Sequence, residues 1–354
     1  DPRGDAWLGG TMAIFRFVPA IALAALFAAP ASGEQTQDNL DDLVVKASRT
    51  PLARTRVGSA VSLVDRDLIE QRQSLLVTDI LQDLPSINVS RAGGPGQQAQ
   101  LRVRGAEANH LLVVIDGVEA NDPSVGDEFS FEQLTAWDIQ SIEVVRGPQS
   151  ALWGGDAVAG IINVTTRRGD APLRGSIRAE GGSFATSNIA GQFGTSSEAM
   201  SLDVSASRFA TDGINVSAIV DENDGFTGSR DDGFENSTVS ANWALRASDK
   251  LSFSLFGRYV DSSSDFDAIG ADGFPVDADR RSDVQLGLLR GQMNFDAFDS
   301  RWQHQLLATL SDSRRENLAD GELSDASTGR KTILAYQTSY DFLAAAGALR
   351  GVLA

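Results

Sequence analysis

The chain has 354 residues, 42% apolar and 22% charged, a balance that excludes a disordered polymer and leaves room for two ordinary domains. Its 30 basic against 48 acidic residues give a net charge of −18, which counts against a nucleic-acid partner and suits a cation or a zwitterionic solute better. The absence of cysteine excludes disulfides and thiolate chemistry, and the two histidines, His110 and His304, lie too far apart in sequence to favour a histidine-centred enzyme.

From Met12 the chain reads MAIFRFVPAIALAALFAAPASGEQ, with Arg16 ahead of an apolar stretch from Phe17 to Ala29 and the small residues Ala29, Ala31 and Gly33 at its end. This is the pattern of a signal peptide over residues 12–33, with cleavage after Ala31 or Gly33 and an N-terminal anchor as the alternative. Residues 1–11 fit no part of such a leader and read as an upstream extension. No later apolar run has the length of a membrane helix, so any membrane span must be made of β-strands.

Residues 34–48 start polar and end in DDLVVKAS, a short β-prone island. By itself it is an ordinary first strand, or an exposed edge to which a partner can add a strand. Residues 49–170 mix helix and strand. The segment SLLVTDILQDLP puts Leu76, Ile80, Leu81 and Leu84 on one helical face, with Ser74 as N-cap and Pro85 as stop. Leu111 to Ile115 is a continuous apolar run ended by Asp116-Gly117, a hairpin dipeptide, and Ile139 to Val145 and Ile161 to Thr166 read as further strands. Together these predict a compact α+β domain of about 120 residues.

From residue 171 to 354 helices vanish and segments of about ten residues alternate in polarity. Val239, Ala241, Trp243 and Leu245 alternate with Thr238, Ser240, Asn242 and Ala244, and the same period recurs at Leu251 to Leu255, Leu202 to Ala206, Val284 to Leu288 and Leu334 to Phe342. A soluble sandwich shows such alternation too. The strand length, the signal peptide and the contrast between short turns and long acidic loops favour an antiparallel transmembrane β-barrel. Turns such as Ser248 to Lys250 then face the periplasm, and loops near 212–235 and 261–282 face outward. About eight or nine strands fit this stretch, fewer than the roughly 22 of plugged transporters, so the barrel reads as incomplete.

Three stretches carry a family resemblance: DILQDLPSINVS, LRVRGAEANHLLVVIDGVEAND and IQSIEVVRGPQSALWGGDAVAGIINVTTRRG, in this order. They resemble the plug domain of TonB-dependent outer-membrane receptors, strongly over 41–169 and weakly over the strands. The resemblance implies an uptake receptor, not an enzyme, with TonB of the inner membrane, outer-membrane lipid and a small-molecule ligand as partners. It also implies that Asp41, Asp42, Leu43, Val44, Val45, Lys46, Ala47 and Ser48 form the TonB box. Arg104, Glu143 and Arg146, ionisable residues beside apolar strands, are solvated surface charges or pair with barrel carboxylates to hold the plug.

Within the family, DDLVVKASRTP, RAGGPGQQAQLRVRGAEANHLLVVIDGV and VRGPQSALWGGDA are similar to the cobalamin receptors. That likeness implies ligand contact at two apical plug loops. One comprises Gly93, Gly94, Pro95, Gly96, Gln97 and Gln98, the other Asn121, Asp122, Pro123, Ser124 and Val125. Acidic residues crowd the outer loops, and Asp224, Asp231, Asp232, Asp265, Asp267, Asp277 and Asp279 are oxygen donors of the kind calcium takes, although the spacing matches no EF-hand. DDGFENS, residues 231–237, resembles the calcium-ordered loop of those receptors, while Asn215 stands where they carry an aspartate. No other cofactor is expected. Receptors for a ferric siderophore, haem or another metal chelate remain the alternative within the family, and a secreted β-sandwich adhesin or hydrolase the alternative outside it.

Overall fold

The computed structural model describes residues 58–169, 172–217, 231–270, 273, 275–344 and 347–353, together with the backbone of 44–45 and 52–53. Two compact units divide the chain, Asp1–Leu40 and Asp41–Ala354, and the first, with the expected signal peptide, lies outside the described residues.

At the head of the second unit β1 (Val44–Val45) pairs antiparallel with β2 (Leu52–Ala53). The plug follows, built on a sheet in which β3 (Ala60–Val64), β8 (Ile139–Arg146), β9 (Gly160–Thr166), β6 (Leu111–Ile115) and β7 (Val118–Glu119) lie side by side in that order. β6 runs parallel to β9, and all other neighbours are antiparallel. The unbroken LLVVI of β6 reflects burial on both faces. Leu111, Val113 and Ile115 join the main core, while Leu112 and Val114 join a second cluster with Val145, Ala157 and Ile161. Each such side chain contributes about 1.5–3 kcal/mol by leaving water. The Asp116-Gly117 turn forms as expected, with φ of 46° and 84°, the doubly left-handed pair that a two-residue hairpin needs.

Two helices cover the sheet. α1 (Arg66–Arg72) is an addition to the expected elements, yet its signals stand in DRDLIEQRQ: Asp65 accepts a hydrogen bond from the Leu68 amide at 2.9 Å, and Arg66 pairs with Glu70 one turn on. α2 (Val77–Leu81) is shorter than the apolar periodicity predicts, and its N-cap is Leu76, not Ser74. The chain is held extended there by a bridge from Leu76 to Thr135 and by the Val77 amide donating to the Leu134 carbonyl, so tertiary pairing delays the helix past the serine. β4 (Ile87–Arg91) and β5 (Ala99–Val103) form a separate hairpin whose tip is the first apical loop. A third helix, α3 (Ser150–Trp153), is a single turn.

The remaining strands form one antiparallel meander of nine, an open sheet. They are β10 (Arg174–Gly181), β11 (Ser187–Ser196), β12 (Met200–Thr211), β13 (Phe234–Ser248), β14 (Leu251–Ile269), β15 (Pro275–Ala297), β16 (Trp302–Ala319), β17 (Glu322–Ala344) and β18 (Gly347–Leu353). Alternation sorts their side chains. Val239, Leu255, Tyr259, Leu289 and Leu306 are exposed on the outer surface, while Ser205, Thr238, Ser240, Ser262, Thr309 and Ser311 are buried toward the plug. Phe295, Phe298, Trp302, His304 and Tyr336 make a run of ring contacts near the short β15–β16 turn, the position of an aromatic girdle at a membrane face.

Val284, Leu286 and Leu288 point inward, and Leu286 and Leu288 join Phe256 and Val260 in the plug's own core, so plug and strands share one apolar cluster. One expectation for these strands is overturned. The outer segment expected as a loop over 261–282 is mostly strand, since β14 runs to Ile269 and β15 starts at Pro275.

Candidate functional site

The first apical loop closes on itself through the Ala92 amide donating to the Gln98 carbonyl at 3.0 Å. Its glycines leave room for side chains from elsewhere. A Cβ at Gly93 would lie 2.1 Å from the Gln97 amide oxygen, and one at Gly96, where φ is 82°, would lie 2.0 Å from the ring of Phe234 on β13. The loop is therefore moulded onto a barrel strand, a close approach that only glycine allows.

The second loop is anchored from beneath. Asn121, 0% exposed, accepts from the Val113 amide at 2.7 Å and donates to the carbonyls of Leu111 and Asp127 at 2.9 and 2.7 Å. Its amide is saturated, so Asn121 holds the loop rather than facing a ligand. Asp122 accepts from the Ser124 amide at 2.8 Å and from its hydroxyl at 2.7 Å, capping the short turn Pro123–Val125. This turn seats on β17, where a Cβ at Gly329 would come within 2.4 Å of Asp122 Oδ1, and Ser124 Oγ reaches Ser327 Oγ at 3.4 Å. Of the five residues only Val125 reaches the cavity described next.

Between these loops and the outer halves of β13 to β16 lies a cavity of about 450 Å³. Gln97, Gln98, Gln100 and Gln133 bring amides to it, and Phe129, Phe234, Phe266 and Ile269 bring apolar surface. Its charged residues are Glu128, Glu132, Asp267 and Arg315. Glu132 sits in the turn Phe131–Gln133, accepts from the Ala99 amide at 3.2 Å, and is pushed above the ordinary carboxylate range by burial, which the nearby Arg315 charge opposes. None of Phe234, Glu132 or Arg315 carries a local sequence signal, because strand alternation and an α+β loop place them there only after folding.

Of the acidic outer residues, the structure gathers Asp232, Asp267 and Asp277 near Asn215, whose amide donates to Asp277 at 2.9 Å. Asp232, 4% exposed, is pushed up to about 6, first by burial and then by the charges of Asp267 and Asp277. Asp265 pairs instead with Arg281 at 2.8 Å, Asp231 and Asp279 are exposed, and Asp224 lies outside the described residues. Among the described residues no three acidic or histidine side chains already stand at metal-ligating positions.

The expected trio Arg104, Glu143 and Arg146 collects within the plug. Glu143 accepts from Asn163 at 3.3 Å, Arg146 donates to Ser62 at 2.8 Å, and Arg104 lies beside Gly147. Other residues bridge to the strands: Arg258 of β14 pairs with Asp138 of the plug, Lys331 of β17 with Glu119 and Asp156 at 3.2 and 3.3 Å, and Asn242 of β13 donates to the Arg167 carbonyl at 2.9 Å. Of the TonB-box residues only Val44 and Val45 are described, as the backbone of β1; the other six lie outside the described residues.

Residues 53–161 match the family model for the TonB-dependent Receptor Plug Domain. The chain is 29% identical over 327 residues to the Vitamin B12 transporter BtuB of Photobacterium profundum, covering 91% of this chain and 51% of that protein. It thus spans about half the length of the curated relative it matches. Among solved structures, the ferripyoverdine receptor of the outer membrane of Pseudomonas aeruginosa is similar with a TM-score of 0.69 at 13% identity, over 90% of this chain and 44% of that one. The siderophore receptor PirA from Acinetobacter baumannii gives a TM-score of 0.59 at 18% identity, over 79% of this chain and 45% of that one. At such identities these structures speak for the fold alone.

Proposed function

We propose that this chain, a TonB-dependent receptor of the outer membrane by its plug and its strand array, takes up a corrinoid of the cobalamin type. The observation that carries this reading is the chemistry of the cavity wall. Four glutamine amides and four large apolar side chains surround a space where three carboxylates face one cation. Such a wall suits a large, nearly neutral ligand with amides on its rim and repels the multiply charged anion of a ferric catecholate. The likeness to a protein named as a vitamin B12 transporter supports it.

Energy enters at residues 41–48, where TonB adds a strand to the box and the pull is passed to the plug. Calcium orders the outer loops by drawing Asp232, Asp267 and Asp277 together. In support, Asn215 Oδ1 and Asp267 Oδ2 are buried acceptors without a hydrogen-bond donor, which a hard cation would satisfy.

The test is titration of the purified receptor with cyanocobalamin, with and without calcium, against a ferric catecholate siderophore. Tight cyanocobalamin binding strengthened by calcium is expected; binding of the siderophore alone would overturn the corrinoid assignment. Deleting residues 41–48 should abolish uptake by cells and spare binding, and loss of binding would refute the division between box and cavity.

A further inference from the structure

Arg315 is the one cation among the described residues lining the apical cavity, and it is held there without an acid at salt-bridge distance. Its Nη2 donates to Ser130 Oγ of the plug at 2.8 Å and its Nη1 to Ser282 Oγ of β15 at 3.2 Å. Both hydroxyls are neutral and both serines line the same space. Arg258, Arg281, Arg314 and Arg330 of these strands each pair with a carboxylate, whereas Arg290, like Arg315, donates only to serine, but Arg290 does not line this cavity. Ser130 and Ser282 engage two of the five donors of the Arg315 guanidinium, so the fork is positioned and its charge uncompensated by direct contact. Glu132 offsets that charge through space, but the Nε donor of Arg315 has no hydrogen-bond partner, so an anionic acceptor that reaches the fork gains charge-assisted hydrogen bonds. The rest of the wall is amide, hydroxyl and apolar apart from Glu128, Glu132 and Asp267, whose carboxyls would repel any further negative charge. The arriving group is therefore a single oxyanion on a body with no further negative charge.

We infer that Arg315 is a specificity-determining residue of this cavity, donating to one singly charged oxyanion of the ligand, which for a cobalamin is the phosphodiester of its nucleotide arm. The fork also joins plug and barrel through Ser130 and Ser282, so an occupied Arg315 reports ligand to both bodies. The inference rests on the corrinoid reading and deepens it.

The experiment compares cyanocobalamin with dicyanocobinamide, a corrinoid without the phosphodiester and base, on the intact receptor and on R315Q and R315K. R315Q should weaken cyanocobalamin about ten- to a hundredfold, the range for a lost charge-assisted hydrogen bond, and leave dicyanocobinamide within about twofold. R315K, which keeps the charge and loses the fork, should fall between and also shows that the site tolerates substitution. Equal weakening of both ligands, or of neither, overturns the role of Arg315 while leaving the corrinoid reading intact. Binding of neither corrinoid to the unsubstituted receptor overturns that reading and this inference together.

Discussion

Arg258 and Asp138 are 1% and 3% exposed and bind each other across the boundary between β14 and the plug. Asp138 Oδ1 and the Nε and Nη2 atoms of Arg258 have no other hydrogen-bond partner, so neither charge has a substitute if its mate is removed. Replacing Arg258 by Met leaves a carboxylate buried without compensation, at a cost of about 3–5 kcal/mol. Removing both charges, in R258M/D138L, should recover most of that, because the desolvation penalty goes with the charges. The chain has no cysteine, so Val164→Cys in β9, 0% exposed and within the main core, provides a single thiol that reacts only when the plug opens. With opening fast relative to labelling, the rate follows the opening free energy, and R258M should raise it about 150- to 4000-fold in mild urea. The double variant should return to within about tenfold of the parent. An R258M plug that labels no faster than the parent would refute the idea that this pair holds the plug in the strands.

Three further outcomes follow from close contacts and charges. Gly329→Ala should lift the Asp122 turn off β17, because its Cβ has atoms of Asp122 and Ser313 within 2.4 and 2.8 Å; overpacking of about 1–3 kcal/mol should appear as weaker ligand binding in titration. Gly96→Ala should weaken binding through both its left-handed φ and its clash with Phe234, and adding Phe234→Ala should restore part of the loss; no restoration would show that the ring is not the obstacle. Ionising Asp232 is disfavoured in the folded loop, so its destabilisation is absent below its ordinary value of 3.8, grows as pH rises, and is complete above about 6. At the proposed calcium site the ion would take the ionised form, so calorimetric calcium affinity should fall between about pH 7.5 and pH 5, and Asp232→Asn should flatten that dependence.

The plug was legible in the chain because its signals are local. A doubly buried strand reads as LLVVI, a two-residue hairpin demands Asp116-Gly117, and the glycines of the apical loop mark backbone that something must approach. The period of two likewise announced the strands from Arg174 onward and their antiparallel run. What alternation could not state is which face meets the plug: Val284, Leu286 and Leu288 turn inward, while Val239 and Leu255 face outward. Nor could it pair charges across 120 or 212 residues of chain, as in Asp138 with Arg258 and Glu119 with Lys331. Asn121 has the chemistry of a ligand residue, but its amide is saturated by its own loop. Sequence determines local backbone preference and periodicity, which depend on neighbours a few residues away. The composition of the cavity, including Phe234, Glu132 and Arg315, depends on where separate strands and loops converge, and only tertiary packing decides that.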